Sequence, residues 1–262
     1  GGCMLSHNDL DDNLWVNEDE IPGNGIDDDN DGYVDDINGW NAYNSNGSIS
    51  SDGHGTHVAG IVGAEGNNGS MVAGLNWDVK LMIIMGSTGN TSTVVEAYGY
   101  AMDQRALYNE NNGVEGAFVV ATNSSFGIDF ADCTSGSYPL WDEAYTAMGE
   151  VGILSAAATI NANQNIDNVG DVPTGCNSDY LVTVTNTNRQ DQKASAGYGV
   201  ESIDLGAPGS SILSTYSNGS TSSLSGTSMA TPHVAGAIGF LHAAMTAGFC
   251  EFQKNDPGES AL

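Results

Sequence analysis

The sequence predicts an α/β protein whose mainly parallel sheet is covered by helices on both faces. Three observations lead there. The chain has 262 residues, 40% of them hydrophobic, which is enough for a substantial core in one domain. Short apolar runs alternate with helix-length segments, the pattern of a layered α/β fold. The most apolar runs, K-L-M-I-I-M (80–85) and A-F-V-V-A-T (117–122), are unbroken. Strands buried on both faces read that way, whereas half-exposed strands alternate.

In chain order, residues 11–50 are rich in Asp, Asn and Gly and read as an extended surface loop with its own role. A helix is expected over 54–64, where His57, Val58, Ile61 and Val62 follow one another at helical spacing. A buried strand at 79–85 follows, then a helix at 93–109 and a strand at 117–122. Beyond them come a helix at 140–149 and strands at 151–157, 181–185 and 202–205. The last long helix runs from about 228 to 245, with Pro232 expected in its first turn. No repeat or low-complexity linker divides the chain, so residues 1–262 read as one domain. The start at Gly1 and the stop after D-P-G-E-S-A-L, which resembles the start of a helix, read as cut ends.

Thirty-three acidic residues face five basic ones, a net charge of −28 with a pI near 4.1. Such a surface repels nucleic acid and anionic membranes, and neither is expected as a partner. It suits salty water or several bound divalent cations. The four cysteines (3, 133, 176 and 250) show no C-x-x-C spacing, which argues against a zinc or iron–sulfur centre. Their even number fits an oxidising compartment. Cys133 and Cys176 lie in loop sequence and are the expected pair; closing that loop of about 44 residues stabilises by about 4 kcal/mol in the chain-entropy model. No run reaches the ~18–20 apolar residues of a membrane span, and no signal peptide is present.

Two segments carry chemistry. In S-G-T-S-M-A-T-P-H-V-A-G-A-I-G-F-L (225–241), small residues place Ser228 at the start of an apolar helix. A helix N-terminus favours an oxyanion, and the serine's own N–H can point at it. In D-G-H-G-T-H-V-A-G-I-V-G-A (52–64), His54 stands between two glycines at a helix start, which would expose its imidazole at a cleft. A neutral imidazole is the base that a serine nucleophile requires. His57 and His233 sit further inside their helices and read as packing residues. No G-x-S-x-G elbow surrounds Ser228, so a lipase or esterase fits poorly.

H-G-T-H-V-A-G followed by G-T-S-M-A-T-P-H-V-A-G resembles the subtilisin-like serine proteases, the subtilases. The likeness extends to G-N-N-G-S-M-V-A-G-L-N-W-D-V-K-L-M, N-S-S-F-G and D-L-G-A-P-G-S-S-I-L-S-T, nearly the whole chain. It implies a three-layer α/β/α sandwich with a doubly wound, mainly parallel sheet, with Ser228 as nucleophile and His54 as general base. The family's H-P-D-L string is matched here by H-N-D-L (7–10). That alignment puts the triad aspartate one residue before Gly1, outside the chain, so the chain as written should be nearly inactive. Asp9 and Asp52 match other, non-catalytic positions of the family.

The resemblance implies further roles. The family's oxyanion asparagine corresponds to Asn161, with Asn163 second, although its usual Gly-Asn pair is absent from G-I-L-S-A-A-A-T-I-N-A-N (152–163). Ser125, Phe126 and Gly127 resemble the edge segment that pairs with substrate backbone, with Gly127 leaving room for a large side chain. D-x-D-x-D-G at 27–32 reads as an EF-hand-like calcium loop, because alternating carboxylates and a glycine suit an ion that takes six to eight oxygens. Asp27, Asp29, Asp31 and Asp36 are the expected ligands of a structural Ca²⁺, with the Tyr33 carbonyl. The twelfth position is Asn38 rather than glutamate. The implied function is a secreted serine endopeptidase acting through an acyl-enzyme on protein or peptide substrates, without a catalytic cofactor. A signal peptide and an inhibitory propeptide should precede it. The alternative is a catalytically inactive, calcium-dependent binding module on the same scaffold.

Overall fold

The computed structural model describes residues 1–133, 136–244, 253 and 255–261. They divide into two compact units. The first comprises Gly1–Gly86 with Leu213–Ser223, the second Ser87–Ile212 with Leu224–Leu262.

In the first unit a short 3-10 turn, Asp11–Asn13, precedes the long acidic segment, and α1 spans Gly53–Gly63. The Asp52 side chain caps α1 by accepting from the Gly55 N–H at 2.8 Å, which satisfies one of the free amides of the first turn. The apolar run at 79–85 is less regular than expected. Leu81 bridges Leu14 and Met85 bridges Asn41, each in parallel, as isolated contacts. Leu81 bonds to Asn13 and Trp15, whereas Ile83 and Met85 bond to Asn38, Trp40 and Ala42, so two short segments supply the partners and no continuous ladder forms. Cys3, Leu10, Leu14, Ala59, Ala64, Leu81 and Ile83 close the core of this unit. Much of the two-stranded sheet of β7 (Ile212–Tyr216) and β8 (Ser220–Leu224) also lies here. Gly60 of α1 lets β7 approach, since a Cβ there would stand 2.2 Å from Thr215 Oγ1.

The second unit is built on a four-stranded, fully parallel sheet in the order β1 (Ala121–Ser124), β3 (Leu154–Ala158), β5 (Leu181–Thr187) and β6 (Leu205–Pro208). Side chains alternate across it. Ala156 and Val184 face one way with Ala207, against Ala230, Val234, Ala235 and Ile238 of α5 (Thr227–Ala243). Ala157 faces the other way, toward a cluster with Val94 and Tyr98 of α2 (Thr91–Asn111) and Trp141, Tyr145 and Met148 of α3 (Pro139–Glu150). Helices therefore cover both faces, as the sequence predicts. Trp141 is fully buried there and donates from Nε1 to Thr91 Oγ1 at 3.1 Å. The Cys133–Cys176 disulfide forms, while Cys3 is a buried free thiol.

The four expected helices are all present within two residues at each described end. Residue 245, the expected end of the last one, lies outside the described residues, as does Cys250. Strands shift more. β1 begins at Ala121 rather than at 117, and β6 begins at Leu205, where the expected strand was to end. Among the described residues no helix is long and apolar enough to cross a membrane.

Candidate active site

His54 and Ser228 are each the second residue of a helix, α1 in the first unit and α5 in the second. His54 is exposed as a residue, though not fully. Partial burial holds its pKa below 6.5, helped by the Gly1 ammonium and by His57 and opposed by Asp52. That direction favours the neutral imidazole, the state a general base needs. His57 is fully buried, and its Nε2 donates to the Ser222 carbonyl at 3.1 Å. His233 Nδ1 donates to the Met229 carbonyl at 2.8 Å. Neither of these rings is placed at an exposed helix start.

Around Ser228 the backbone is arranged by a proline. Pro232 is the sixth residue of α5, so it lies in the second turn and not, as the sequence suggested, in the first. It has no N–H to give to the Ser228 carbonyl four residues earlier. The Ser125 hydroxyl takes that place, donating to the Ser228 carbonyl at 2.8 Å. In return the Ser228 hydroxyl donates to the Ser125 carbonyl at 3.2 Å. Asn123 Nδ2 donates to the Ser125 hydroxyl at 2.9 Å and so fixes its direction.

Asn161 lies three residues beyond β3. Its Oδ1 accepts from the Thr227 N–H at 2.9 Å, and the Thr227 hydroxyl is 3.1 Å away. With Oδ1 held, Nδ2 is left as a donor without a partner among the described residues. Asn163 is engaged elsewhere, its Oδ1 accepting from Lys193 Nζ at 2.6 Å.

Asn161 and Ser228 border one cavity of about 160 Å³, which Phe126 and Gly127 also line. Phe126 packs at 5.9 Å, centroid to centroid, on Trp141. Gly127 is required by the backbone, since a Cβ would stand 2.3 Å from the Val172 carbonyl. That close approach belongs to a small antiparallel ladder of β2 (Ile128–Asp129) and β4 (Asp171–Val172). Two acids from this ladder, Asp129 and Asp171, also line the cavity. Sequence reasoning missed both, because two-residue strands leave no pattern to read. Burial pushes the Asp171 carboxyl up to about 6, against the hydrogen bonds from Thr174, Thr159 and Ile160, and Asp129 adds to the rise.

In the acidic loop Asp27 and Asp29 converge with Glu20, with one oxygen of each within 4.8 Å of the others. Asp31 donates its N–H to Asp27 and Asp29, and its Oδ1 accepts from the Tyr33 N–H at 2.8 Å. Asp36 is fully buried, with its Oδ1 accepting from Asn17 Nδ2 at 2.9 Å. Glu20 was not legible from the D-x-D-x-D-G pattern, because it enters from seven residues before Asp27. The three converging carboxylates are hard oxygen donors of the kind calcium takes.

The family model described as the subtilase family matches residues 1–249. The chain belongs to the subtilases. The subtilase is 32% identical over 260 residues to subtilisin-like protease 1 of Plasmodium berghei (strain Anka), covering 90% of this chain and 40% of that protein. It is 34% identical over 201 residues to cerevisin of Saccharomyces cerevisiae, covering 74% of this chain and 28% of that protein. The subtilase thus spans less than half the length of these relatives. Among solved structures, a cold-adapted subtilisin-like serine proteinase superposes with a TM-score of 0.65 at 24% identity, over 99% of this chain and 76% of that one. That likeness confirms the three-layer fold.

Proposed function

We propose that this subtilase is a secreted serine endopeptidase. The observation that carries the reading is the wall of the cavity in the second unit, where the Ser228 hydroxyl and the uncommitted Nδ2 of Asn161 stand together. A substrate carbonyl lying there would meet a nucleophile and an oxyanion donor at once. His54 would take the Ser228 proton as the acyl-enzyme forms and return it to the leaving amine; water would then repeat the cycle on the ester. The third member of the triad would be an aspartate preceding Gly1. In support, the Gly1 amine acts electrostatically on both Asp52 and His54, so the backbone there runs close to the imidazole. Residues 125–127 would pair with the substrate backbone as an added strand.

The acidic loop would hold structural calcium through Asp27 and Asp29 with Glu20, assisted by Asp31 and Asp36. The ion would supply positive charge that lets these carboxylates pack together and stiffens the loop. The disulfide supports an oxidising, extracellular location. A propeptide preceding this segment would occupy the same cleft as substrate.

Hydrolysis of an unfolded protein substrate by the full-length protein tests the reading. Ser228→Ala and His54→Ala should each lower kcat by about 10⁴-fold or more. Full-length protein that folds but cleaves nothing would instead favour the inactive binding module.

A further inference from the structure

The cavity beside Ser228 has a chemistry that the proposed reaction does not by itself require. Phe126, Gly127, Ala158 and Ile160 give it apolar or small lining, and two carboxylates, the exposed Asp129 and the buried Asp171, line it as well. No basic residue lines it. The two acids are direct partners across the β2–β4 ladder, so their side chains leave the same face. Like charges placed directly opposite each other are ordinarily destabilising. This arrangement calls for a positive charge between or in front of them.

Asp171 is held as a receptor would be. Its residue exposure is 1%. Thr159 Oγ1 at 2.9 Å, the Ile160 N–H at 3.0 Å and Thr174 Oγ1 at 2.5 Å all donate to one oxygen, Oδ2. Oδ1 receives no hydrogen bond among the described residues. An aspartate serving only to tie these three groups together would have no reason to face a second carboxylate. A carboxylate fixed through one oxygen, with the other free toward a cavity, is preorganised to accept a charge-assisted hydrogen bond. The apolar walls suit an aliphatic stem, and the acids suit a cationic tip.

We propose that this cavity receives a lysine or arginine side chain, so that the protease cleaves after basic residues. The inference rests on the endopeptidase reading above. The peptide carbonyl under attack must lie at Ser228, so the side chain entering a cavity that Ser228 borders is the one on the acyl side of the scissile bond. The surrounding charge of −28 reinforces the choice by drawing cationic segments toward the protein.

The test uses the full-length protein and a set of peptide anilides that differ only in the residue before the anilide: Lys, Arg, Phe or Glu. The Lys or Arg substrate should exceed the Phe substrate in kcat/KM by about tenfold or more. Asp171→Asn, which keeps the shape and an acceptor for Thr159 and Thr174, should cut that ratio by about tenfold. Asp129→Asn, at an exposed position, should reduce it less and serves if the first variant does not fold. A preference for Phe, or a basic preference that neither variant weakens, overturns the inference while leaving the protease intact. If no anilide is cleaved and Ser228 resists a fluorophosphonate, the endopeptidase reading falls and takes this inference with it.

Discussion

The Ser125 hydroxyl donates to the Ser228 carbonyl at 2.8 Å, the group that Pro232 leaves without a helical partner. A proline inside a helix usually weakens it. Here the freed carbonyl becomes the point at which the segment after β1 grips the start of α5, and the returning bond from the Ser228 hydroxyl closes the loop. Ser125→Ala should strand that carbonyl, costing about 1–2 kcal/mol in urea unfolding. It should also lower kcat more than it raises KM, because the backbone carrying the proposed nucleophile loses the hydroxyl that holds it. Ser125→Thr, which keeps the hydroxyl, should recover most of both.

Asn161 and Asn163 should separate cleanly. Asn161→Ala removes the uncommitted Nδ2 and should lower kcat by about 10²–10³-fold with little change in KM. It also removes the acceptor for the Thr227 N–H, so a modest fall in melting temperature is expected beside the kinetic loss. Asn163→Ala loses only an exposed contact with Lys193 and should leave kcat near wild type. Equal effects of the two in steady-state kinetics would contradict the assignment.

Asp171 should cost stability while it serves recognition. Its carboxyl is raised to about 6 by burial, from 3.8 in the unfolded chain. The folded state therefore binds more protons between about pH 4 and 6, and the contribution of this group to stability falls as pH rises through that window. The shift of about 2 units corresponds to roughly 3 kcal/mol lost once Asp171 is ionised. Asp171→Asn should accordingly raise the melting temperature at pH 8 relative to wild type, and much less at pH 4. Calorimetry at the two pH values checks this. The ratio of Lys to Phe cleavage should fall as pH drops through about 6. Protonation of His54 affects both substrates alike and cancels in that ratio.

Calcium removal should loosen the first unit. At a hundred times its Kd, an ion that binds only the folded protein adds about 2.7 kcal/mol. A chelator should lower the melting temperature, and Glu20→Gln or Asp29→Asn should shrink the difference between calcium and chelator. A melting temperature indifferent to both would remove calcium from the account.

The parts of this protein legible in its sequence are those with a period or a long motif. The helices holding His54 and Ser228 announce themselves through small residues leading into apolar stripes, and the start of each was placed within a residue. β7 and β8 were missed because I-L-S-T-Y and S-T-S-S-L are polar or mixed and give no apolar run. Asp129 and Asp171 were missed for a different reason. They are 42 positions apart in sequence and meet only through two-residue strands. Glu20 joins Asp27 and Asp29 by a similar return of the chain. Pro232 was misplaced by one turn because sequence could not reveal that Ser125, more than a hundred residues earlier, would supply the missing donor.

The central claim is that Ser228 is a nucleophile activated by His54. Its most direct test is to treat the folded, full-length protein with a fluorophosphonate and locate the adduct by peptide mass spectrometry. The account predicts a single adduct on Ser228, formed far more slowly in His54→Ala. No adduct, or one on another serine, would contradict it.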